Sequence, residues 1–193
     1  MFRPRVIPCL LLKDKGLVKT INFGNPKYIG DPINAVRLFN DFEADELVFL
    51  DIDASKNGKL IDLNFVKKIG EEAFMPFAVG GGISTIEQIK EILNNGAEKV
   101  VINTSAVKNP DFIRKAADIF GSQSIIVSID VKKELEGYKL YTLSGTKNTN
   151  LNPVDFARQM ESAGAGEIII NSIDKDGTMS GFDLKIIKKI SQA

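Results

Sequence analysis

Asp130 closes the short β-branched run Ser124–Ile129, and the lysines Lys132 and Lys133 come only after it. A carboxylate at the end of an apolar strand is partly desolvated, which suits it to act as a general acid or base. Asp51 and Asp53 close a second such run, and Asp174 and Asp176 close a third. Taken singly, each of these four reads equally well as a helix cap or a loop carboxylate. A different chemistry is offered by Val79-Gly80-Gly81-Gly82-Ile83-Ser84, where glycines run from a strand towards a helix. Backbone amides at such a junction can cradle an anion, although a tight strand-to-helix turn has the same signature. Ile102-Asn103-Thr104-Ser105 ends the next strand with three hydrogen-bonding side chains, which together with the glycines suggests a phosphate site. A third group, Arg5, Glu46, Lys99 and Glu167, stands at the opposite, amino ends of predicted strands. Two charges of each sign there could form a ring of ion pairs; singly, each reads as a solvated strand end.

The composition removes several alternatives. The chain has 193 residues and no histidine, which excludes a Ser-His-Asp triad and most zinc sites. Neither a metal nor an organic cofactor is implied. With 25 basic and 25 acidic residues the net charge is zero, which argues against nucleic acid or an anionic membrane as a partner. The single cysteine, Cys9, allows no intrachain disulfide, and no apolar run has the length of a membrane span, so a cytoplasmic location is expected.

These residues need a scaffold, and the hydrophobic pattern supplies one. Apolar runs at Arg5–Leu12, Glu46–Ile52, Phe77–Val79, Lys99–Ile102, Ser124–Ile129 and Glu167–Asn171 read as buried parallel strands. Helical patterns lie between and after them, at about 32–43, 62–72, 85–94, 110–119, 152–163 and 183–191. Asp31-Pro32 and Asn109-Pro110 have the form of a cap followed by proline at the first helical position, and Ser84 or Thr85 opens another helix. Lys13–Gly30 reads as a long, mobile loop, and Tyr138–Leu143 as part of a hairpin extension.

Six βα units in a row fit either a barrel or a doubly wound sheet, and an internal repeat favours the barrel. Glu46–Ile69 aligns with Glu167–Ile190 at a constant offset of 121, matching Asp53 to Asp174 and Asp62-Leu63 to Asp183-Leu184. An offset of 119 aligns Val6-Ile7 with Ile125-Ile126, Lys13 with Lys132, and Leu11 with Asp130. Units one and two thus recur as units five and six, which predicts a (β/α)8 TIM-barrel fold with about six of its eight units present. Residues 1–193 are expected to form a single barrel domain whose C-terminal quarter is missing, the alternative being an open six-unit sheet.

Over essentially its whole length the sequence resembles the cyclase subunit of imidazole glycerol phosphate synthase. The matching stretches are Ile7-Pro8-Cys9-Leu10, Glu46–Asp51, Val79–Ile83, Ser144-Gly145 and Ser172-Ile173-Asp174-Lys175-Asp176-Gly177-Thr178. The resemblance implies a class I glutamine amidotransferase docked at the lower face and making ammonia. It implies an ammonia gate formed by Arg5, Glu46, Lys99 and Glu167, and a phosphorylated ribotide or sugar held by Lys19, Gly82, Asn103, Thr104, Ser144, Asp176 and Gly177. Asp130 matches one of that family's two catalytic aspartates, and the other falls at Leu11.

Leu11 points towards a paralogous branch that is associated with surface-polysaccharide loci. There the barrel would pass ammonia to a sugar whose acetamido group becomes acetamidino. Two alternatives stand beside this reading: a genuine cyclase of histidine biosynthesis with an unusual first acid, and a non-catalytic phosphosugar-binding scaffold.

Overall fold

Proline and aspartate decide where several helices start. In α1 (Pro32–Asp41) the Asp31 side chain accepts from the Asn34 amide and proline takes the first position. Asp62 caps α2 (Leu63–Glu72), and Thr85 with Gln88 forms a reciprocal capping box at α3 (Ile86–Asn94). Asn109 stands at the cap position of α5 (Pro110–Phe120) but makes no side-chain capping bond. Asn152 caps α6 (Pro153–Ser162). Asp183 precedes α7 (Leu184–Ser191) without capping it, because its oxygens accept from Tyr138 Oη at 2.8 and 2.9 Å and from Ser172 Oγ at 3.2 Å.

The structure, a computed structural model, describes residues 4–193. They group into two compact units. The first runs up to Lys19 and resumes over Tyr28–Val101; the second holds Thr20–Lys27 and Ile102–Ala193.

In the first unit β1 (Cys9–Lys13), β4 (Leu47–Asp51), β5 (Phe77–Gly80) and β6 (Lys99–Ile102) are parallel neighbours in that order. The register sets Leu11 opposite Leu50 and Val48 opposite Ala78. Phe49, Phe77, Val66, Ile69, Ile89 and Ile92 are buried between strands and helices. Each contributes about 1.5–3 kcal/mol by leaving water. β1 begins at Cys9, four residues later than its apolar pattern suggests; Pro8, with no amide hydrogen, immediately precedes it.

In the second unit β7 (Ile125–Glu134) is parallel to β10 (Glu167–Ser172), with Asp130 opposite Asn171. β7 outruns its predicted end at Ile129 because residues 130–134 pair antiparallel with β8 (Gly137–Thr142), the expected hairpin extension, which in turn pairs with β9 (Lys147–Asn148). A short helix, α4 (Thr104–Lys108), follows β6 directly. Ile113, Ala116, Ile125, Val127, Phe156 and Met160 are buried on this side.

The segment Lys13–Gly30 differs from expectation. Instead of a loop it forms β2 (Gly16–Ile21) and β3 (Gly24–Gly30), with β2 antiparallel to β1. Asp14 and Lys15 both have positive φ (48° and 67°), as do Asn22 and Phe23 (52° and 60°). Paired left-handed residues match the twist of a hairpin turn. Leu17, Val18 and Thr20 are buried, so the segment has the apolar anchoring that its lysines and asparagines concealed.

Candidate functional site

Asp130 leaves β7 where the parallel pairing with β10 meets the antiparallel pairing with β8. Its residue is 7% exposed. Oδ1 accepts from Asn171 Nδ2 at 2.9 Å and from Ser128 Oγ at 3.2 Å, and Asn171 Nδ2 also donates to Ser128 Oγ at 3.0 Å. Burial pushes the Asp130 carboxyl up from 3.8 to about 6, while the two donors hold it down. A carboxyl poised there can take or give a proton near neutrality.

Asp176 and Gly177, expected to touch substrate, receive the tip of the β2–β3 hairpin. Thr20 Oγ1 donates to Asp176 Oδ2 at 2.6 Å, the Phe23 amide donates to the same oxygen at 2.9 Å, and the Asn22 amide donates to the Asp176 carbonyl at 3.0 Å. Gly177 has φ +67°, and a Cβ there would lie 2.0 Å from the Thr20 carbonyl oxygen. Only glycine fits a left-handed position with backbone so close.

Asn103 Nδ2 donates to the Ser128 carbonyl at 3.0 Å, so it braces the strand that carries Asp130. Thr104 Oγ1 donates to Asn103 Oδ1 at 3.2 Å and accepts from the Leu143 amide at 3.2 Å. Ser144 sits in the turn after β8, at φ +52°. The second unit therefore connects Asn103, Thr104 and Asp130 through side chains and backbone, with Asp176 and Gly177 on the loop that follows β10.

In the first unit the carboxyl ends of the strands are differently furnished. Leu11 is half-buried on β1 between Val18 and Leu50. Lys19 is exposed on β2. Lys13 Nζ lies 2.8 Å from Asp53 Oδ2. Asp51 Oδ1 accepts from the Asp53 and Ala54 amides at 3.0 Å each, and half-burial raises its carboxyl despite them. Gly82 (φ +69°) packs so closely that a Cβ would lie 1.7 Å from the Lys59 carbonyl oxygen, and its amide donates to Ser55 Oγ at 3.2 Å. The amides of Ser84 and Thr85 donate to Gln88 Oε1. The start of α3 is thus satisfied by its own side chains.

At the amino ends of the same strands, Glu46 is 2% exposed. Its Oε2 accepts from Arg5 Nη1 at 2.9 Å and Lys99 Nζ at 2.8 Å, while Oε1 is buried with no hydrogen-bond partner among the described residues. Losing either cation would leave the charge on this buried carboxylate less compensated, at a cost in stability. Glu167 stands at the amino end of β10, in the second unit.

Sequence reasoning did not single out Asn171, Ser128 or Thr20. The signal for Asn171 lies in the repeat: Asn171 occupies the position equivalent to Leu50, as Asp130 does that of Leu11. Among the described residues no group of three or more His, Cys, Asp or Glu side chains could hold a metal ion, and no helix is long and apolar enough to cross a membrane.

Parallel strands alternate with helices and carry polar side chains at their carboxyl ends, and the family that the chain matches has the fold of the (β/α)8 barrel class. Within that class the chain belongs to the family described as histidine biosynthesis protein, which matches residues 5–193. It is 48% identical over 192 residues to a Pseudomonas aeruginosa protein with the provisional name imidazole glycerol phosphate synthase subunit hisF2, covering 99% of this chain and 76% of that one. It is 49% identical over 192 residues to a Leptospira borgpetersenii protein provisionally named as subunit HisF of the same synthase, covering 98% and 76%. It is 49% identical over 194 residues to the imidazole glycerol phosphate synthase subunit HisF of Alkaliphilus metalliredigens, covering 100% and 77%. These relationships place the chain with the HisF-like barrel subunits.

Proposed function

We propose that this chain is an ammonia-conducting or ammonia-using barrel subunit of a glutamine-dependent amidotransferase, acting in the synthesis of an acetamidino sugar. The observation that carries the reading is the unequal pair Leu11 and Asp130. A cyclisation that moves protons at two positions wants a carboxylate at both, and here one is an apolar side chain that can neither donate nor accept. A barrel that only delivers ammonia has no such need. Arg5, Glu46 and Lys99 support the same reading as part of an ammonia entrance, with a class I glutaminase as the partner that covers it. Lys19, Gly82, Asn103, Thr104, Ser144, Asp176 and Gly177 are proposed to hold a phosphorylated ligand.

A second reading, a cyclase of histidine biosynthesis, is favoured by one observation: Asp130 is retained in a buried site that holds its carboxyl near 6. One experiment separates them. The protein is purified with its glutaminase, and each of two acceptors is supplied with glutamine or with ammonium: the formimino ribotide of histidine synthesis and an acetamido sugar. Amidination of the sugar with little cyclisation is expected. Cyclisation within tenfold of a relative that carries aspartate at the Leu11 position would overturn the sugar reading.

A further inference from the structure

We propose that Asn171 is a positioning residue for Asp130: its amide fixes Oδ1 and leaves Oδ2 as the oxygen that carries the exchangeable proton. The two residues are register partners on the parallel strands β7 and β10. Asn171 Nδ2 reaches both Asp130 Oδ1, at 2.9 Å, and Ser128 Oγ, at 3.0 Å, and Ser128 Oγ donates to the same Oδ1 at 3.2 Å. Among the described residues both donors to this carboxyl, Asn171 and Ser128, therefore converge on one oxygen. An amide N–H is the only group Asn171 can turn towards a carboxylate, which sets the orientation of its side chain.

The internal repeat makes the pairing specific. The equivalent register pair in the first unit is Leu11 opposite Leu50, apolar on both strands. Asp and Asn thus occur together in one half, and two leucines together in the other. A buried carboxyl without donors would leave a polar group unsatisfied, and the half-buried Asn171 supplies one. The acid in this chain is accordingly a two-residue device, and Asn171 is the half that strand spacing alone does not announce.

The groups that face Asp130 are few. On its own strand there is Ser128; on β10, Asn171; on β8 the register partner is Tyr141, whose hydroxyl donates to Glu134 instead. Among the described residues no charged side chain contributes to the elevation of the Asp130 carboxyl, which burial causes and the Asn171 and Ser128 donors oppose. Removing Asn171 therefore leaves burial less opposed, and the carboxyl should titrate higher still.

This inference rests on the reading of Asp130 as the proton-transfer group, and its test needs no substrate. The chain is labelled with 13C at aspartate carboxyls, and the Asp130 signal, assigned by its loss in Asp130→Asn, is followed through a pH titration. In Asn171→Leu, branched alike but apolar and bulkier, the midpoint is expected to rise by about one unit or more. Asn171→Val, suited to a strand, is expected to act in the same direction and decides the matter if the leucine variant does not fold. Ser128→Ala should raise it less, since the longer of the two bonds is lost. A midpoint within 0.3 unit (about the reading error) of the parent in the folded variant would overturn the proposal. If the midpoint moves as expected but Asp130→Asn leaves turnover unchanged, the acid–base reading of Asp130 fails while the positioning by Asn171 stands.

Discussion

Thr20 Oγ1 lies 2.6 Å from Asp176 Oδ2, so an aspartate of the Ser172–Thr178 stretch holds the tip of the N-terminal hairpin. Gly177 continues the contact, with the Thr20 carbonyl where its Cβ would be. Gly177→Ala forces a left-handed alanine into backbone, and should cost on the order of 1–3 kcal/mol while releasing the hairpin tip. Hydrogen exchange at the Phe23 amide, which donates to Asp176, reads the release directly. Unchanged protection in a folded variant would show that the tip is held by other contacts.

Asp130 makes stability depend on pH with a definite sign. Its folded carboxyl stands at about 6 against an ordinary 3.8, so ionisation favours the unfolded chain. The contribution to stability is fully present below about pH 4, is lost as the pH rises through about 6, and stays lost above it. The two-unit difference corresponds to about 3 kcal/mol. Asp130→Asn should therefore stabilise the protein at pH 8 by up to that amount and do little at pH 4. Urea unfolding at the two pH values checks this, and an equal effect at both would refute it.

Lys99→Ala removes one of the two cations on Glu46 Oε2. Glu46 is almost wholly buried and its other oxygen has no partner among the described residues, so a loss of about 3–5 kcal/mol is expected if the pocket excludes water. If the cluster is an ammonia entrance, amination driven by glutamine falls while amination driven by added ammonium persists. A parallel fall of both rates would remove the gate assignment.

Leu11→Asp places a carboxyl between Val18 and Leu50. Each well-placed acid or base is worth about 10²–10⁴-fold in rate. Cyclisation of the formimino ribotide supplied with ammonium should rise by a measurable part of that factor. Because Leu50 offers no donor, the double variant Leu11→Asp with Leu50→Asn, which copies the Asp130–Asn171 pair, should exceed the single one. A single variant as active as the double would mean that the amide partner is dispensable on this side.

The order of strands and helices was legible in the sequence because burial imposes a period on it. Val66 with Ile69, and Ile89 with Ile92, recur at helical spacing, and Phe77–Val79 is apolar on both faces, so each element had one stable way to lie. The caps Asp31 and Thr85 were equally local, since each bonds an amide three residues on. The repeat at an offset of 121 carried the architecture. Tertiary structure decided what the repeated residues do. Asp62 and Asp183 are repeat equivalents before equivalent helices, yet one caps its helix and the other turns to Tyr138 and Ser172. Asp53 bonds the Lys13 side chain, whereas its equivalent Asp174 accepts from the Lys133 amide. The hairpin at Lys13–Gly30 was hidden because its turns use Asp, Lys, Asn and Phe at positive φ, where composition leads one to expect glycine. A hydrogen bond has a range of about 3 Å and no sequence period. Its partner is set by which strand ends meet, and for Asp130 that partner was Asn171, 41 residues away along the chain.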